Sequence, residues 1–214
     1  MRALLSFSVL CAVAACTSEP MGPPLPDAPA TVRDQLVDGG VGLAIAPDPA
    51  AGTITARQWR GHWEEGALTI AVAGGELALS ADRDGALIVD ELRVALAPIA
   101  LPDAVFGEPA RLTDLALELA ADPAPARATW DGPDVGRATV TATLRLVWSL
   151  ETQGRVTPLG PVTLRGLPLA LDVGGDATHV SAALGVRAEG PVWAWAGLVE
   201  LRDLTLSLAA DPAR

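Results

Sequence analysis

The sequence predicts an all-β fold, mainly antiparallel, arranged as a β-sandwich or a barrel-like sheet with long amphipathic strands. From about residue 41 onward, apolar and polar residues alternate with a period of two. This pattern is typical of strands with one buried and one solvated face. No run of ten or more residues in this part shows convincing helical periodicity. Such strands must bury their apolar faces against another sheet or around a closed ring, and the pattern leaves both arrangements open.

One short helix is predicted before the strands. Thr31 is a suitable N-cap residue, Asp34 follows it by three positions, and Gly39 is suited to end the helix. Val32 and Leu36 are four residues apart, so they share one face of this helix.

The clearest strand covers residues 139–151. Its even-numbered residues, from Val140 to Leu150, are all apolar, and its odd-numbered residues are polar except for Val147. Residues 178–189 repeat the pattern, with an apolar face that runs from Val180 to Ala188. Both segments are therefore predicted to turn one face toward the core.

Two turns are predicted within residues 67–96, which have the pattern of a β-meander. Gly74-Gly75 suits a two-residue hairpin turn, and residues 83–85 suit a three-residue loop with Gly85 in the left-handed conformation. The two turns would set cross-strand partners, which are Val72 with Leu77 and Leu79 with Val89.

Residues 112–124 and 201–213 are similar to each other, with 10 of 13 positions identical. A weaker copy covers residues 164–171. Each copy begins Leu-x-x-Leu-x-Leu, and its first step of three residues breaks the alternation of a strand. The step predicts a bend or β-bulge at this point. Duplication of a β unit and chance similarity between Leu-rich strands both remain open explanations.

The N-terminus has the pattern of a sorting signal. Arg2 precedes a mainly apolar stretch of twelve residues, 3–14, which is shorter than the roughly 20 residues of a membrane-spanning helix. Val13-Ala14-Ala15-Cys16 follows. This motif resembles the lipobox of bacterial lipoproteins. The resemblance implies cleavage before Cys16, a diacylglycerol on its thiol and a fatty acid such as palmitate on its amine. Thr17, rather than Asp, implies delivery to the outer membrane, facing either the periplasm or the exterior.

These features divide the chain into three predicted parts. Residues 1–15 are a lipoprotein signal peptide, residues 16–30 are a tether with five Pro, and residues 31–214 are a single all-β domain. Removing the signal would also remove Arg2 and change the formal net charge from −11 to −12. This acidic balance argues against nucleic-acid binding.

No catalytic residue, metal site or cofactor is predicted. Cys11 lies in the signal peptide and Cys16 would be lipidated, so no thiol remains for catalysis or a disulfide bond. His62 and Glu64 share a strand face but give only two ligands, fewer than a zinc site needs. His179 lies on the polar face of its strand. The sequence also lacks a Gly-x-Ser-x-Gly motif and phosphate-binding loops.

Tryptophan is the side chain with the most interesting distribution. Trp193 and Trp195 share a strand face, as do Trp59 and Trp63. Exposed Trp residues would form a hydrophobic or partner-binding surface, whereas core packing is the competing interpretation.

The leading hypothesis is a lipid-anchored cell-envelope domain that acts by binding or scaffolding, without catalysis. Its partners would be the membrane, through the anchor, and envelope proteins. An alternative is a carrier of a lipid or other hydrophobic molecule, enclosed by the apolar strand faces. A third hypothesis is an envelope hydrolase that uses carboxylates, for which the sequence nominates no pair.

Overall fold

The computed structural model describes residues 31–101, 109–176, 178–195 and 199–212, and it is all-β, as predicted. The predicted signal peptide, the lipobox and the tether lie outside the described residues. The elements, in chain order, are α1 (Val32–Asp38), β1 (Val41–Ile45), β2 (Asp48–Trp59), β3 (Trp63–Ala81), β4 (Leu87–Leu96), β5 (Ile99–Leu101), β6 (Ala110–Ala121), β7 (Thr129–Trp130), β8 (Gly136–Thr152), β9 (Arg155–Pro158), β10 (Val162–Asp176), β11 (His179–Trp195) and β12 (Val199–Pro212).

The strands pair antiparallel into a sheet that returns on itself as a barrel-like ring. β1 and β2 lie on one line, because both pair with β3 on one side and with β12 on the other. From that line the ring continues through β3, β4, β6, β8, β10, β11 and β12. The closure is uneven. β4 and β6 share only three residue pairs, which join Arg93–Ala95 to Ala116–Glu118.

Apolar side chains fill the inside of the ring, and most charged side chains lie outside it. On β8, buried residues alternate from Val140 to Trp148, and on β11 they alternate from Val180 to Ala188, as the sequence predicts. Burying a large apolar side chain contributes about 1.5–3 kcal/mol, so this alternation is the main source of stability. The outer face carries cross-strand ion pairs such as Arg145–Glu118, with 2.7 Å between Nη2 and Oε2.

Helix α1 closes one end of the ring, which we call the helix end, together with the turns at 82–86, 131–135 and 176–179. Val32 and Leu36, which were predicted to share one face of the helix, are fully buried there. The backbone N–H of Arg33 donates to the Pro133 carbonyl at 3.1 Å. The Gln35 side chain donates to the Asp176 carbonyl at 3.3 Å. These contacts fix the helix to separate turns.

The N-terminus of α1 has the predicted cap. The Thr31 side chain accepts a hydrogen bond from the backbone N–H of Asp34, and the Asp34 carboxylate accepts one from the backbone N–H of Thr31. The Thr31 hydroxyl also donates to Asp34 Oδ2 at 2.8 Å. These hydrogen bonds to the charged form hold the pKa of Asp34 below its ordinary value.

The three similar segments each contain the predicted bulge. Asp114, Gly166 and Asp203 have φ angles of 51°, 66° and 54°, and each is the fifth residue of its strand. The pairing register shifts at each of these points. A left-handed residue resets the alternation, so Leu residues three apart both face the core. The Asp203 carboxylate also accepts a hydrogen bond from the Gly190 N–H at 2.8 Å.

Of the two predicted turns, one is confirmed and one is wrong. Gly85 has a φ of 82°, and Leu79 lies opposite Val89, as predicted for the loop at 83–85. Gly74 and Gly75 instead lie within the continuous strand β3. The register between β3 and β4 shifts beside Gly74, and a Cβ on Gly75 would collide with the Arg93 carbonyl oxygen. The glycines therefore permit a bulge and a close backbone approach instead of a turn.

Replacing Gly166 with Ala should lower the free energy of unfolding by about 1–2 kcal/mol, because a residue with a Cβ is sterically strained at a left-handed φ. No neighbouring atom lies within 4 Å of a Cβ at Gly166 or at Gly66, and Gly66 lacks a positive φ. Gly66→Ala is therefore the matched control and should cause no loss. Urea unfolding of both variants measures the difference, and equal effects would contradict the assignment.

Protonation of Asp34 should make part of the stability sensitive to acid. Because its folded-state pKa is lowered, its contribution is complete above the ordinary carboxyl range and is lost as the pH falls through the folded-state value. Asp34→Asn should flatten the stability profile between about pH 5 and 3. Thr31→Val, which removes the donating hydroxyl, should flatten it in part. Urea midpoints across this range provide the test, and an unchanged profile in Asp34→Asn would refute it.

Candidate functional site

The ring has a second end, opposite α1, which we call the hairpin rim. It consists of the β2–β3 hairpin, the turn between β8 and β9, and the adjoining ends of β11 and β12. Three large apolar side chains in the described chain are exposed, and all three lie at this rim. They are Trp59, Trp63 and Val156, with exposed fractions of 45%, 39% and 50%.

Trp59 and Trp63 lie directly opposite each other across the β2–β3 hairpin. Their ring centroids are 5.6 Å apart and the ring planes meet at 64°, an edge-to-face arrangement. The turn between them closes through a hydrogen bond from the Arg60 N–H to the His62 carbonyl at 2.9 Å, with Gly61 at a φ of 82°. The hairpin therefore holds both indoles at its tip in a fixed relation.

Arg57 lies on β2, two residues before Trp59, and packs against this pair. Its guanidinium carbon lies 4.9 Å from the centroid of the Trp63 ring, within cation–π range. The Arg57 Nε lies 2.7 Å from Glu65 Oε1, an ion pair without hydrogen-bond geometry, and Arg57 Nη1 donates to Glu200 Oε2 at 3.3 Å. Two carboxylates therefore hold the cation against Trp63.

Trp193 has a different environment. It is half-buried and packs edge-to-face on the buried Trp148, with 5.3 Å between ring centroids. Trp148 Nε1 donates to the Gly160 carbonyl at 3.3 Å. The backbone of Trp195 pairs with Val199 at the end of β11, and the structure does not describe the Trp195 side chain. Val199 also pairs with Gln58, so β12 lies between β11 and β2, and both of these strands end at the hairpin rim.

The structure therefore brings two of the four predicted tryptophans together as an exposed pair. Trp193 joins the core packing at the same end of the ring. Val156, which lies on β9 across the ring from the Trp hairpin, is not among the residues predicted from the sequence. Only its isolation as an apolar residue between polar neighbours in 152–157 could have indicated it.

Arg111 and Glu151 form an ion pair near the rim. Arg111 donates to both carboxylate oxygens of Glu151, at 2.7 and 2.9 Å. These hydrogen bonds lower the pKa of Glu151. The pair lines a cavity of about 430 Å³ beside Gln153 and Gly154, where two positive φ angles form the β8–β9 turn.

The two histidines are exposed and separate. His62 Nε2 lies 3.5 Å from Glu64 Oε1, and His179 Nε2 lies 3.7 Å from Asp211 Oδ1. Across the residues with described positions, no three His, Cys, Asp or Glu side chains group as metal ligands would. No helix in the described ranges has the length and apolar character needed to cross a membrane.

Comparison with models of known protein families and with curated proteins finds no match for this chain.

Arg57→Gln should lower the free energy of unfolding by about 1–2 kcal/mol, because it removes one cation–π contact and two partly exposed ion pairs. It should also weaken the near-ultraviolet circular dichroism of tryptophan, since the Trp63 ring loses its support. Arg60→Gln is the control: its guanidinium lies 3.8 Å from Glu64 at the exposed tip. That change should stay within about 0.5 kcal/mol. Equal losses in both variants would contradict a specific role for Arg57.

Proposed function

We propose that the protein is a lipid-anchored β domain of the bacterial cell envelope with a non-catalytic role in binding or scaffolding. The observation that carries the proposal is the hairpin rim, where the described chain exposes its large apolar side chains, Trp59, Trp63 and Val156. Exposed tryptophan that is held in a fixed orientation is common in binding surfaces, because it offers a large contact area at a low entropic cost.

The N-terminal motif supports the anchor. Val13-Ala14-Ala15-Cys16 has the residue types of a lipobox, and the residues after Cys16 are polar and rich in Pro. Acyl chains on Cys16 would hold the protein firmly, since two or three chains bind a bilayer far more strongly than one. Thr17 favours the outer membrane as the destination, and the domain would face the periplasm or the exterior.

The position of α1 supports a defined arrangement of anchor and binding surface. The tether leads into Thr31, and α1 closes the helix end of the ring. The anchor is therefore joined to the end of the ring opposite Trp59 and Trp63. A tether of this composition leaves the rim free to meet a partner.

Cys16→Ser should abolish incorporation of labelled fatty acid and should move the protein from the membrane fraction to the soluble fraction. Cys11→Ser is the matched control, because Cys11 lies within the predicted signal peptide and should have no effect on either measurement. Fatty-acid labelling that persists in Cys16→Ser would refute the anchor. Hydrolysis of an envelope substrate by the purified protein, abolished by a point mutation, would refute the non-catalytic role.

A further inference from the structure

We infer that the hairpin rim rests on a lipid bilayer, with Trp59 and Trp63 in the interfacial region, so that the anchored protein contacts the membrane at two places. This inference depends on the proposed lipidation of Cys16 and adds a second contact, at the opposite end of the ring. The partner is thus a bilayer surface and not a protein.

The exposed apolar side chains lie on opposite sides of the rim. Trp59 and Trp63 are at the β2–β3 hairpin, whereas Val156 is beside β8, across the ring. A partner that touches both sides must be broad and flat. A stable protein interface buries about 800 Å² on each partner, far more than three half-exposed side chains provide. A bilayer surface needs no such complementary area.

The chemistry of the hairpin matches the membrane interface. Indole has an apolar body and a polar N–H, and tryptophan is therefore enriched at the boundary between lipid and water. Residues 57–65 contain two Arg and two Glu, a formal charge of zero. The hairpin is therefore an electrostatically neutral segment in a strongly acidic chain, and anionic headgroups would not repel it.

The helix end is unsuited to the same contact. α1 and the turns at 82–86, 131–135 and 176–179 together contain seven Asp and two Arg, a formal charge of −5. Anionic headgroups would repel this end of the ring, although the tether is attached to it. The distribution of charge along the ring therefore favours an orientation with the hairpin rim toward the bilayer.

The tether can reach across the ring when it is fully extended. Residues 17–30 would span about 46–50 Å at ~3.3–3.6 Å per residue. β3 runs from Trp63 at the hairpin rim to Ala81 at the helix end and has 19 residues, and a strand of that length tilted by about 40° covers roughly 48 Å along the ring axis. A nearly straight tether would therefore run beside the ring from a lipidated Cys16 at the membrane to Thr31 at the far end.

Quenching by brominated lipids tests the inference. Full-length lipidated protein is reconstituted in phosphatidylcholine vesicles with brominated or ordinary acyl chains, without any other protein. The fraction of tryptophan emission that the brominated lipid quenches should fall at least twofold in Trp59→Phe/Trp63→Phe. Trp130→Phe is the control, because Trp130 lies at the helix end, where its Nε1 donates to the Gly85 carbonyl. It should not lower the quenched fraction.

Val156→Glu tests the other side of the rim. A carboxylate there should reduce the quenching of Trp59 and Trp63 at least twofold, while flotation of the vesicles shows that the protein stays anchored. Equal quenching in the wild type and in Trp59→Phe/Trp63→Phe would overturn the inference. So would ready quenching of the Trp pair by aqueous iodide in these vesicles, the result expected if the rim serves a protein partner. If the wild type fails to float, the lipid anchor itself is refuted, a result distinct from floating protein with an unquenched rim.

Discussion

The structure depends on a single constraint, which is that every strand must keep its apolar face inward around a ring that closes on itself. A strand turns successive side chains to opposite sides, so any local irregularity would reverse the faces of the residues beyond it. The bulges at Asp114, Gly166 and Asp203 meet this constraint, because each resets the phase and keeps Leu residues on the inside. Their shared position in β6, β10 and β12 gives the three segments a common structural reason to be similar.

The two ends of the ring have contrasting chemistry. At the helix end, backbone and side-chain hydrogen bonds join α1 to several turns, and the charge there is strongly negative. At the hairpin rim, indole rings and an isolated Val are exposed, and Arg57 and Arg111 nearby form ion pairs with Glu65 and Glu151. The two ends of the ring are therefore chemically different, and both proposals for the function depend on this difference.

Much of the fold could be predicted because its signals are local. The alternation in 139–151, the cap at Thr31 and the loop at 83–85 each involve residues close together in the sequence. Closure of the ring could not be predicted, because the alternation shows which face of a strand is buried but does not show which strands pair with each other. The turn predicted at Gly74 and Gly75 was wrong for a related reason. Glycine occurs both in turns and where two backbones approach closely, and only the structure shows that the Arg93 carbonyl lies against Gly75. Parity likewise placed Trp59 and Trp63 on one face, but it gave no indication that the face was exposed.

The pairing of the β1–β2 line with β12 has a consequence for how the protein folds. It joins Leu43 to Pro212, almost the full length of the described chain. Contacts between such distant residues form late, because a long loop must lose its conformational entropy before any pairing compensates for it. The pairs of the meander, such as β3 with β4, join neighbours in the chain, so they can form before β12 joins the ring. The interior leucines would stay exposed to water, and to chaperones, until β12 paired.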